Sequence, residues 1–132
     1  MKICRYKGLD IVVMTRDEHC PPHAHVGTDK WRARFEFGFV DQHVYLLDVI
    51  PAQKLPSVRL LENLRLTLGQ AENLRRARDA WWRSTHSTCL ENQGWATAGN
   101  LVYIIESATF DSSLNRTTLK LKWAADLVEI NL

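Results

Sequence analysis

Between residues 31 and 39 the chain reads WRARFEFGF. Trp31, Ala33, Phe35, Phe37 and Phe39 alternate with Arg32, Arg34 and Glu36. Successive side chains on a strand point to opposite faces, so this segment has one face to bury and one that carries charge. A sheet with one apolar face needs a second layer over it. Residues 57–85 fit that role. After Pro56, SVRLLENLRLTL places Val58, Leu61, Leu64 and Leu68 at helical spacing, and Gly69 is predicted to break or kink the helix. QAENLRRARDAWWRST then puts Leu74, Ala77 and Trp81 on one face, with Glu72 and Arg76 as an outward i,i+4 pair.

The remaining segments read as strands. KICRY and DIVVMT flank Gly8 as a hairpin, and HAHV follows two prolines that no central strand could run through. VYLLDVI is apolar on both faces and is expected to be central. Residues 84–100 turn polar and read as a long loop, followed by strands at LVYIIESATF and TTLKLKW. The predicted architecture is one α+β domain over residues 1–132. Its sheet is mainly antiparallel, with two consecutive helices packed on one face and a C-terminal strand pair. An isolated strand pair is marginal in water, so the last two strands must join the main sheet or pair with another chain. A homodimer through residues 101–123 is the expectation.

With 132 residues, the chain can bury a core without metal or disulfide staples. No stretch approaches the roughly 18 apolar residues of a membrane span, and MKICRYKGLD lacks the apolar run of an export signal. The expectation is a cytoplasmic protein with no membrane partner, its Cys4, Cys20 and Cys89 reduced. Motifs for ATP, dinucleotides, serine nucleophiles and dithiol redox chemistry do not occur, so no cofactor is expected. Net charge is +2. The basic surplus sits in residues 54–83, where seven Lys/Arg face three Asp/Glu.

The densest chemistry lies in DEHCPPHAHV, residues 17–26. On a strand, Ala24 and Val26 face the core while His23 and His25 face away. H-x-H can supply two metal ligands, with Asp17, Glu18, His19 and Cys20 as further donors. A hairpin turning at residues 27–30 would set His25 against Arg32 and His23 against Arg34. Two guanidiniums beside two imidazoles repel a divalent cation, so no metal is expected, and they suit an anion. The candidate site is therefore His23, His25 and Glu36 for proton transfer, with Arg32 and Arg34 for phosphate. A plainer reading makes these the solvated face of an amphipathic hairpin. Arg75 and Arg76, near Trp82, form a second candidate surface for RNA. There the plainer reading puts Trp81 in the core and Arg78 over Trp82 as a cation–π pair.

The Pro21-Pro22-His23-x-His25 motif after DIVVMT, the alternating strand and a helical pair ending in Trp81-Trp82 resemble the small bacterial domain of unknown function 4160. The likeness covers about residues 1–83, and residues 84–132 extend beyond the family's usual outline. The resemblance implies a small cytoplasmic protein that works with a cognate protein partner, as in toxin–antitoxin pairs. Together with the arginines this gives the leading expectation, a component of such a pair that contacts RNA or another phosphate-bearing ligand. The alternatives are a non-catalytic protein-interaction module and a metal-dependent hydrolase.

Overall fold

The computed structural model describes residues 1–51, 53, 55–96, 99 and 101–123. Its architecture is α+β. Strands β1 (Lys2–Tyr6), β2 (Leu9–Val12), β3 (His23–Gly27), β4 (Arg32–Phe37) and β5 (Val44–Ile50) form an antiparallel sheet in chain order. Helices α1 (Val58–Leu68) and α2 (Ala71–Thr85) follow. Strands β6 (Gly94–Ala96), β7 (Val102–Asp111) and β8 (Arg116–Trp123) make a second antiparallel sheet. Residues 52, 54, 97, 98, 100 and 124–132 of the expected domain lie outside the described residues.

The alternation in β4 is realised as a buried face. Ala33, Phe35 and Phe37 join Ala24 and Val26 of β3, Ile11 of β2, and Leu64, Leu68, Leu74, Ala77 and Trp81 of the helices in one core. Each large apolar side chain buried there contributes about 1.5–3 kcal/mol, more than an exposed ion pair of about 0–1 kcal/mol. The helical layer is therefore held chiefly by its apolar face. Ser57 caps α1, its hydroxyl accepting from the Leu60 amide at 3.1 Å. Gly69 ends α1 where the sequence places the break, its amide donating to the Arg65 carbonyl at 3.0 Å.

The β3–β4 register differs from the expected one by two residues. Gly27 pairs with Arg32, Val26 with Ala33, His25 with Arg34, Ala24 with Phe35 and His23 with Glu36. Gly27 belongs to the strand rather than the turn because the backbone of Trp31 passes so close that a Cβ would lie 2.3 Å from its carbonyl oxygen. A slip of two preserves which face each side chain takes, so Ala24 and Val26 are buried as predicted. What changes is the neighbour of each histidine.

Other expectations are corrected. β5 is the edge of its sheet, not central, and exposes Tyr45, Leu46, Leu47 and Ile50. Part of the expected loop, Gly94–Ala96, is strand β6, which pairs with β7. The C-terminal strands do not join the main sheet by hydrogen bonds. They pack on the core through Phe110, whose ring meets Phe39 edge-on at 5.1 Å, and Thr117 donates to the Phe39 carbonyl at 2.7 Å. Arg78 does not lie over Trp82. It is buried, donating to the carbonyls of Gly38 and Asp41 and to Asn115 Oδ1, so it ties α2 to both sheets' loops. Cys20 and Cys89 are not reduced thiols but form a disulfide, which leaves Cys4 free. Their separation of 69 residues conceals a Cα–Cα distance of 5.7 Å, well within bridging range. Among the described residues no helix is long and apolar enough to cross a membrane.

Candidate functional site

The segment between β2 and β3 folds back over the start of β3. Asp17 takes a left-handed conformation, φ 57°, which aspartate tolerates better than most residues. The Cys20–Cys89 bond fastens the segment to the chain beyond α2. These two features bring Glu18 onto the histidines. Its Oε2 lies 2.7 Å from His23 Nε2 and its Oε1 3.3 Å from His25 Nε2. The two imidazole centroids are 5.0 Å apart. His23 was expected to face solvent. It is instead only 4% exposed, covered by this segment and set against the Trp81 ring at 5.3 Å.

Hydrogen bonding fixes the His23 ring. Its Nδ1 lies 2.8 Å from the Pro21 carbonyl oxygen, which can only accept, so Nδ1 carries the proton. Nε2 then points at a carboxylate. His25 Nε2 is buried and makes no hydrogen bond, although Glu18 is within ion-pair distance: the separation is short but the angle is wrong for a proton to be shared. Burial pushes the His25 pKa below its ordinary value, and the Glu18 charge pulls it partly back. Glu18, His23 and His25 thus present one carboxylate and two imidazole nitrogens within 4.8 Å of one another.

Beside His25 lies a hollow of about 800 Å³, lined among others by Met14, Arg16, Glu18, Arg32, Arg34 and Asp48. A second hollow, of about 480 Å³, is lined by Glu18 and His23 among others. Arg34 lines both. It faces His25 across the strands, but its charge is engaged by Asp48 through hydrogen bonds of 2.9 and 2.5 Å. That contact raises the Arg34 pKa and lowers that of Asp48. Arg32 faces Gly27, not His25. The pair of bare guanidiniums expected beside the imidazoles is therefore absent from this arrangement.

Of the sequence candidates, His23, His25 and Arg34 come together, with Arg32 at the rim of the hollow. Glu36 does not join them. It stands opposite His23 but lines a different hollow with Pro21, Pro22 and Tyr45. Arg75 and Arg76 lie on α2, away from this group. Arg75 is bidentate on Glu72 and donates to Ser112 Oγ; Arg76 contacts Glu72 and the Ile3 carbonyl. Trp82 is half-buried, its ring edge-on to His86. Sequence reasoning left Glu18 as one of four further donors and missed Arg16, since nothing in their spacing shows how the loop folds back. The chain matches no family model, no curated protein and no solved structure, so the site is read from its own geometry and the likeness to the domain of unknown function 4160 rests on the residues quoted above.

Proposed function

We propose that this chain binds a phosphate-bearing ligand, RNA in the first instance, in the hollow beside His25, as one component of a toxin–antitoxin-like pair. One observation carries the binding part of this reading. Arg16 and Arg32 line the hollow, and neither side chain has an ion-pair or hydrogen-bond partner among the described residues. Guanidinium forks grip phosphate in two places at once. Met14 and Ile50 add an apolar wall on which a base can pack. The α2 arginines support the reading less, because Glu72 already engages them. The paired-module part rests on the resemblance of residues 1–83.

The test is anisotropy of a short labelled single-stranded RNA over a salt series. Binding should weaken with salt, with a slope set by the number of phosphates neutralised. Arg16→Ala plus Arg32→Ala should flatten the slope by about 1–2 phosphate equivalents, whereas Arg75→Gln plus Arg76→Gln should leave it nearly unchanged. Loss confined to the Arg75/Arg76 variant would move the ligand to α2, and no salt-dependent binding would remove the reading.

A second reading, a protein-interaction module, is favoured by β5. This edge strand exposes four large apolar side chains, and unpaired strand edges are templates for pairing with another chain.

A further inference from the structure

The contact between Glu18 and the histidines has a chemical problem. His23 Nδ1 donates to the Pro21 carbonyl, so in the neutral ring Nε2 is a lone pair. It faces a carboxylate oxygen, also an acceptor, at 2.7 Å. His25 adds a second nitrogen that is buried, makes no hydrogen bond and sits 3.3 Å from the other oxygen of the same carboxylate. Something positive belongs among these three groups, either an extra proton or a metal ion.

We propose that Glu18, His23 and His25 form a binding site for a divalent transition ion of the zinc type. The donor set is two imidazoles and one carboxylate, the combination used by zinc and non-haem iron and unlike the all-oxygen shells of magnesium and calcium. At metal–ligand bonds of about 2.0–2.1 Å, neighbouring tetrahedral ligands stand about 3.3 Å apart. The His25–Glu18 separation already has that value, and the His23–Glu18 separation must open from 2.7 Å. The Pro21 carbonyl on His23 Nδ1 is the outer-shell bond that fixes a ligating imidazole in the required tautomer. The objection from two flanking arginines is weakened, although Arg34 still stands opposite His25. Arg34 is engaged by Asp48, and Arg32 faces Gly27. One hollow reaches Glu18 and His25 and another Glu18 and His23, which gives an ion access, and water or an anion would complete the shell. This site stands on Glu18, His23 and His25 alone and does not depend on phosphate binding in the neighbouring hollow.

The experiment uses the full chain with its disulfide intact, stripped by chelator and free of phosphate. Cobalt(II) is titrated while its visible d–d absorption is recorded, then displaced by zinc. The expected result is one ion per chain, a band of four- or five-coordinate intensity, and no comparable binding of magnesium. Glu18→Gln and His25→Gln should each weaken cobalt binding at least about a hundredfold, with circular dichroism showing the fold retained. These two are preferred because His23 is buried against Trp81 and its loss could unfold the chain. His43→Gln, a histidine stacked on Tyr45 at the surface, should leave binding unchanged. Absence of a saturable band overturns the proposal, as does a band that persists in Glu18→Gln and His25→Gln.

Discussion

Asp48 reaches from the edge strand to clamp Arg34, and that one carboxylate sets how much free positive charge the polar face carries. Because the Arg34 hydrogen bonds hold its pKa below the ordinary carboxylate value, the unfolded chain binds the proton more tightly than the folded one. The stabilisation is thus fully present above the unfolded pKa of about 3.9 and is lost as pH falls through the folded value. Urea midpoints should drop as pH falls below about 4, and Asp48→Asn should make that drop shallower. An identical slope in the variant would mean that the clamp adds nothing to stability. Glu18 shows why the neighbouring site was only half legible. The H-x-H pair is written in the local spacing of a strand. The carboxylate that completes it depends on a left-handed Asp17 and on a bond to Cys89, neither of which leaves a periodic trace. Arg16 was invisible for the same reason.

At the scale of elements, the helices were readable where their apolar spacing is also their burial, although Val58, expected on the same face as Leu64 and Leu68, is exposed at the start of α1. Leu64, Leu68, Leu74 and Trp81 are each fully buried at the positions their helical periods predict. β5 misled because a strand apolar on both faces has the same pattern whether covered or bare. Bare, it offers Leu46, Leu47 and Ile50 to another strand. Edge pairing of two β5 strands gives a dimer, and light scattering should then read twice the chain mass, falling to one chain mass in Leu46→Lys. If the dimer instead uses the expected region 101–123, Leu121→Lys on β8 should separate it and Leu46→Lys should not. A monomer at every concentration tested would exclude both. The register slip between β3 and β4 carries the same lesson in smaller form. Periodicity specifies faces, whereas the exact partner is chosen by the close backbone approach at Gly27.

For the molecule as a whole, the described residues beyond α2 are built in through several contacts. Phe110 packs on Phe39, Arg78 bonds Asn115, and Cys89 holds Cys20. Closing a loop of this length restricts the unfolded chain by about 4 kcal/mol in the chain-entropy account. Cys89→Ser should therefore lower the urea midpoint, and by a similar amount to added reductant; a midpoint that does not move would show the bond to be idle in folding. The same bond alters what it means for this chain to be cut. The turn at Thr28, Asp29 and Lys30 is exposed and lies inside the closed ring. A protease that severs the chain after Lys30 leaves two pieces that still travel as a single band in denaturing gel, and only thiol separates them.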